Sequence, residues 1–216
     1  MAIITISRGS LSGGRAVAEC LAEHLGVPCV AREILQEAAL SLGVSEQAMH
    51  EEFETTPGRW ARLHQERETY LLAVRSALAD RCVDGRLVYH GLAGQFLLRG
   101  VRGVLSVRLI APLELRIQAL VKQHHRMSGA AGQEFIANVD EERRRWVREL
   151  YGEDVEDPSL YDLTVKLRAM SLDTACTAIA EAAAQSEYEV TAEVKAGLEA
   201  FAATCRQALE TRMARA

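Results

Sequence analysis

Apolar positions recur along this chain with two periods, and the switches between them outline its elements. Residues 2–7, Ala-Ile-Ile-Thr-Ile-Ser, form a short β-branched run that reads as a buried strand. Residues 8–14, Arg-Gly-Ser-Leu-Ser-Gly-Gly, are a loop of small residues. Residues 15–25 then place Val17, Ala18, Leu21, Ala22 and Leu25 on one helical face, and Gly26 stops the helix. A short strand at 28–31 precedes a helix at 32–42 with Ile34, Leu35, Ala38 and Leu42 inward. The Thr-Thr-Pro-Gly within 52–59 predicts a loop, followed by a long helix at 60–82. Strands at 86–90 and 104–111 come next. Pro112 starts a helix running to about Arg126. Residues 127–133, rich in small residues, read as flexible, and a charged helix spans 134–151. An acidic loop at 152–161 leads to a strand at 162–166 and a helix at 171–184. Ser186 and Glu189 have capping-box spacing before a final helix with the stripe Val194, Leu198, Phe201, Cys205, Leu209 and Met213. Strands alternating with helices predict an α/β domain with a parallel sheet flanked by helices. One domain is read over 1–186, with residues 187–216 as an amphipathic helix added to it.

Composition narrows the function classes. The chain has 216 residues, 49% of them apolar, which is enough for a substantial core. A net charge of -5 argues against a dedicated nucleic-acid binder. No apolar run approaches a membrane span and no signal peptide is visible. Cys20, Cys29, Cys82, Cys176 and Cys205 are scattered and odd in number, so reduced core thiols in a cytoplasmic protein are expected. Only Lys122, Lys166 and Lys195 are lysines, against 22 arginines. A site within the first 121 residues that needs a lysine therefore cannot have one.

The opening strand, glycine loop and helix carry the strongest chemical signal. Such a turn presents backbone N–H groups to an anion at a helix N-terminus. Ser10-Leu11-Ser12-Gly13-Gly14-Arg15 is too compact for G-x-G-x-x-G and is not a full G-x-x-x-x-G-K-[ST] motif. Taken with Gly13 as the motif's last glycine, Arg8 stands at the first glycine and Gly14 at the lysine. Arg15 follows, and two readings stay open for it: a guanidinium over phosphate oxygens, or an exposed residue of the first helical turn.

The opening Ile-Thr-Ile-Ser-Arg and the Ser-Gly-Gly-Arg loop resemble the cytidylate-kinase-like family of P-loop proteins. Four later segments resemble it in the same order: 32–39, 111–117, 139–143 and 157–163. The resemblance covers roughly residues 2–184 and leaves out the final helix. It implies a P-loop NTPase-type parallel β-sheet with a helical lid and acceptor-side inserts. It also implies phosphoryl transfer from ATP with Mg2+ to a nucleoside monophosphate, CMP-like, or to another small acceptor.

On that resemblance Arg8, Ser10, Ser12, Gly13, Gly14, Arg15 and Ala16 face the donor phosphates, with Arg15 the substitute for the missing lysine. Arg143 and Arg148 of the lid helix join Arg15 as expected catalytic cations, within an arginine cluster that also includes Arg144 and Arg145. The alternative for that cluster is a solvated face paired with Glu141, Glu142 and Glu149. Arg32, Gly91 and Arg116 are expected on the acceptor side, and Arg126 is a further lid candidate. His90 ends a strand at the sheet edge where α/β ligands bind. His124 and His125 are adjacent and cannot form an i, i+4 metal pair. Tyr161 reads as a packing residue, and the six acids between Glu149 and Asp162 as a solvated loop rather than a metal site.

The sequence departs from the family at three places. Gly91-Leu92-Ala93-Gly94 lacks the arginine and acid that the family pattern leads one to expect, Val165-Lys166-Leu167 stands where Asn-Thr is usual, and Ala16 stands at the motif's hydroxyl position. Three readings follow. The first is an active kinase. The second is a nucleotide-binding regulatory pseudokinase, favoured by Leu92 and Ala93. The third is an interaction protein, with a homodimer formed through the last helix.

Overall fold

The computed structural model describes residues 2–47, 64–123 and 129–214. The expected loop at 52–59, the start of the helix at 60–82, and His124, His125 and Arg126 lie outside the described residues.

β1 (Ile3–Arg8) is the central strand, because its β-branched side chains are buried on both faces. It pairs in parallel with β3 (Leu87–Tyr89) on one side and β4 (Val104–Ile110) on the other. β2 (Cys29–Val30) and β5 (Leu163–Lys166) complete a five-stranded sheet of order β2-β3-β1-β4-β5. The period-2 alternation sends Ile4, Ile6, Val88, Leu105, Val107 and Leu109 to one face, where α1 (Gly14–Leu25) and the later helix α7 (Leu172–Ala183) cover them. Ile3, Leu87 and Tyr89 point to the other face. There they meet α2 (Arg32–Leu42), α3 (His64–Cys82) and the short α4 (Gly94–Leu97).

β1 and β3 are neighbours whose following helices, α1 and α4, lie on opposite faces of the sheet. Such a switch opens a crevice at the carboxyl ends of the two strands. Helices α5 (Leu113–Gln123) and α6 (Gly129–Tyr151) form the wall above that crevice. Residues 129–133, expected to be flexible, are the first turns of α6. A Cβ at Gly132 would stand 3.4 Å from Leu120 Cδ2 and 3.6 Å from Ile117 Cγ2, so packing against α5 overrides weak helix propensity.

Two further differences concern the end of the chain and the thiols. The last helix, α8 (Ala192–Met213), is capped by Thr191, whose hydroxyl accepts from the Val194 N–H at 3.3 Å. Ser186–Tyr188 form only a 3-10 turn. The stripe of α8 is spent within its own chain: Val194, Leu198, Ala202, Cys205 and Leu209 are buried, largely against α3. Arg75 lies over the Phe201 ring, and Arg206 pairs with Asp80. Cys20 of α1 and Cys176 of α7 form a disulfide with Cα atoms 6.3 Å apart, against the expectation of reduced thiols. Cys29, Cys82 and Cys205 are free. Among the described residues, no helix is long and apolar enough to cross a membrane.

Candidate active site

The glycine loop leaves β1 at Arg8 and enters α1 at Gly14. Two residues take the left-handed conformation there, Leu11 at φ 59° and Gly13 at φ 82°. Gly13 tolerates it at little cost, whereas Leu11 stores strain in the loop. Ser12, almost fully buried, donates its hydroxyl to the Gly9 carbonyl at 2.8 Å and closes the turn. Because α1 starts at Gly14, the run Gly9-x-x-x-x-Gly14-Arg15-Ala16 is the register of a phosphate loop, with Arg at the lysine position and Ala at the hydroxyl position. Of the two alignments in the sequence reading, the one with Gly13 as the last glycine is one residue out, and the one with Ala16 at the hydroxyl position agrees with the start of α1.

A cavity of about 560 Å3 opens beside this loop, within the range of nucleotide-sized sites. Its wall includes Arg8, Arg32, Arg108, Arg116, Arg143 and Arg144, against Asp140, Glu142 and Glu156. His90, Gly91, Leu92 and Ala93 line the end of β3, and Trp146 and Val147 line α6. Six guanidiniums to three carboxylates leave the wall with an excess of positive charge.

The cations differ in what already holds them. Arg108 is 8% exposed; it donates to the Val155 carbonyl at 2.5 Å and to Glu156 at 3.2 Å. Tyr161 supports the same segment. Its hydroxyl donates to Val155 O at 2.7 Å and accepts from Gln95 at 3.1 Å and, at 3.0 Å, from Ser7. Arg116 donates Nε to the Ser10 carbonyl at 2.6 Å and a terminal nitrogen to Asp140 at 2.5 Å. Asp140 also accepts from the Ser10 N–H and hydroxyl, each at 3.1 Å. This clamp ties α5 and α6 to the glycine loop through groups that are mostly buried. Arg32 pairs with Glu46, and Arg144 with Glu141 and Glu156.

Arg8 is held differently. Its Nε is buried with no hydrogen-bond partner among the described residues, and so is His90 Nδ1. Burial, then the charges of Arg143 and Arg15, lower the proton affinity of Arg8. Burial and Arg8 likewise depress His90. Arg143 donates to the Arg8 carbonyl at 3.3 Å and so brings α6 to the end of β1.

The structure thus gathers Arg8, Ser12, Arg32, Gly91, Arg116 and Arg143 around one cavity, with Ser10 tied to its rim. It does not bring Arg15, Arg148 or Ala16 there: all three are exposed and outside the cavity wall. Arg15 pairs along its own helix with Glu19 at 2.7 Å. Gly13 and Gly14 are not among the residues that line the cavity. The lid cluster divides as both of its readings allowed, with Arg143 and Arg144 inward and Arg145 paired with Glu141 on the surface. The sequence reading did not single out Asp140, Arg108 or Gln95. The one signal for Asp140 was its place three residues before Arg143 on the lid helix.

For a divalent cation the donors are poor. Ala16 has no hydroxyl, and Asp140 is engaged by Ser10 and Arg116. Among the described residues, no three His, Cys, Asp or Glu side chains group as a metal site. These residues do not fit a protein-held Mg2+.

The family model described as the cytidylate kinase-like family matches residues 3–169. A protein named cytidylate kinase from Methanothermobacter thermautotrophicus is 28% identical over 172 residues, covering 76% of this chain and 93% of that protein. Another of the same name, from Methanopyrus kandleri, is 30% identical over 177 residues, covering 79% and 87%. Among solved structures, an uncharacterized protein from Eubacterium ventriosum superposes with a TM-score of 0.66 at 17% identity, covering 84% and 97%. Shikimate kinase from Bacteroides thetaiotaomicron gives 0.50 at 9% identity, covering 84% and 97%. The fold is the parallel α/β fold of P-loop kinases.

Proposed function

Because the chain belongs to the cytidylate kinase-like family, we propose that its arginine-lined cavity carries out phosphoryl transfer from ATP to a nucleoside monophosphate, CMP first among the candidates. The observation that carries this reading is the convergence of Arg8, Arg116 and Arg143, from three separate elements, on one cavity at the carboxyl end of β1. Phosphoryl transfer asks a protein for position and charge neutralisation rather than covalent chemistry. The donor triphosphate lies along the glycine loop, and the acceptor phosphate lies toward Arg32, Gly91 and Arg143. The γ-phosphoryl passes from the bridging oxygen of ADP to an acceptor oxygen, and Arg143, on the lid helix, spans the two. None of these residues would hold a Mg2+ that entered with the donor, so the chain's own contribution to neutralising charge comes from arginine.

Leu92 and Ala93 favour a second reading, a protein that binds nucleotide without transferring phosphate. Both line the cavity where the family pattern leads one to expect an arginine and an acid. Calorimetric titration of the full chain with ATP and separately with CMP tests the first reading. Two binding events are expected, with the CMP event weakened at least tenfold in Arg143→Ala. ATP binding with no response to any nucleoside monophosphate would leave the second reading standing.

A further inference from the structure

Arg8 and Gly14 are coupled in a way that neither explains alone. A Cβ built at Gly14 would overlap the Arg8 Cδ and stand 2.9 Å from Arg8 Cγ and Nε. Gly14 is not among the glycines with positive φ, so its backbone does not require glycine. What requires it is the Arg8 side chain, which crosses the first residue of α1. Arg8 therefore runs from the end of β1 over the loop, with one face toward the cavity and a buried Nε that no group among the described residues satisfies. Arg15 occupies the lysine's place in sequence, but its side chain is 77% exposed and turned along α1 to Glu19.

We propose that Arg8, not Arg15, is the cation that meets the donor phosphates above the glycine loop, and that Gly14 is glycine because Arg8 must lie across it. The lysine function of a phosphate loop has moved from the helix that follows the loop to the strand that precedes it. A guanidinium reaching over the loop offers a fork of donors to phosphate oxygens, where lysine offers a point charge. The buried Nε and the like charges of Arg143 and Arg15 make this position unfavourable without an anion and favourable with one. His90, whose Nδ1 is also buried and without a partner among the described residues on the same cavity, is a second donor to that anion once it is protonated.

This inference rests on the phosphotransfer reading, and the test separates the two. ATP is titrated calorimetrically into the full chain and into Arg8→Ala, Arg8→Met, Arg15→Ala, Gly14→Ala and the double variant Arg8→Ala/Gly14→Ala. Arg8→Met keeps the length of the stem and guards against a folding defect. Loss of one charge-assisted contact weakens binding by about 10- to 150-fold, expected for both Arg8 variants, while Arg15→Ala stays within about twofold. Gly14→Ala is expected to weaken binding as Arg8→Ala does, and the double variant to bind no more weakly than Arg8→Ala. Thermal melting gives a reading independent of ligand: Gly14→Ala lowers Tm in the native background and not in the Arg8→Ala background. A larger loss in Arg15→Ala than in Arg8→Met, or additive losses at positions 8 and 14, would overturn the inference and leave phosphotransfer in place. An unaltered chain that gives no binding heat with millimolar ATP would overturn both.

Discussion

The clamp between the lid helix and the glycine loop depends on Asp140, and its removal has a size that can be worked out. Asp140→Ala deletes the acceptor for the Ser10 N–H, the Ser10 hydroxyl and Arg116. The Arg116 and Asp140 side chains are 12% and 19% exposed, so water replaces the lost contacts only in part. A lost bond to a charged group is worth about 1.5–3 kcal/mol, and an unsatisfied buried N–H about 1–3 kcal/mol. Arg116 keeps its bond to the Ser10 carbonyl, and partial hydration offsets some of the rest. The expected loss is about 2–4 kcal/mol, or roughly 5–12 °C in Tm for a chain of this size. Arg116→Ala should cost less in the Asp140→Ala background than alone, because the two side chains share one interaction. Hydrogen exchange at the Ser10 amide should quicken in Asp140→Ala. A Tm change of less than about 2 °C, or additive losses at 116 and 140, would refute the clamp.

Three further outcomes are expected. His90 is held below its usual proton affinity by burial and by Arg8, so the unfolded chain takes up its proton more readily than the folded one. The stability this represents is present above about pH 6.5 and is lost as pH falls from that value toward the lower value of the folded state; melting at pH 7.5 and 5.5 should show a smaller acid loss in His90→Gln, and equal losses would contradict it. The Cys20–Cys176 disulfide closes a sequence separation of 156, so a thiol reductant should lower stability by about 2–4 kcal/mol, and Cys20→Ser should make melting insensitive to reductant. Leu198 is 1% exposed on α8, and Leu198→Ala should cost about 2–5 kcal/mol by denaturant titration; a loss under 1 kcal/mol would mean that α8 is not part of the core.

The elements of the fold were readable because each carries its own period and its own stop signal. β1 shows a β-branched run, α1 a five-residue apolar face, and Gly26 a left-handed end at φ 62°. Residues 129–133 were not readable as helix, because what makes them helical is contact with Ile117 and Leu120 rather than local propensity. The disulfide was equally hidden, since nothing local relates two cysteines 156 residues apart.

The site was legible as a constellation and not as a geometry. The family resemblance singled out Arg8, Arg116 and Arg143, and the structure gathers them around one cavity. Spacing could not tell that Arg15 turns along α1 while Arg8 folds back over the loop, because motif position does not fix side-chain direction. Tyr161, expected to pack, has Arg108 over its ring, and its hydroxyl joins Ser7, Gln95 and Val155, three residues of the cavity wall. The acidic stretch before β5 is more than a solvated loop: Glu156 pairs with Arg108 and Arg144, and Asp162 accepts from the Ser106 N–H at 2.8 Å. The contacts of Tyr161 with Ser7 and Gln95, of Glu156 with Arg108 and of Asp162 with Ser106 join residues 48 to 154 positions apart, and such pairings leave no local signature.

The most direct test follows the transferred group itself. ATP labelled in its γ-phosphoryl is incubated with the full chain and each of the common nucleoside monophosphates, and the products are separated. Phosphotransfer in the arginine cavity predicts label in a nucleoside diphosphate, CDP foremost, with the rate falling at least a hundredfold in Arg143→Ala. ATP that binds while its label never reaches a monophosphate would contradict that account.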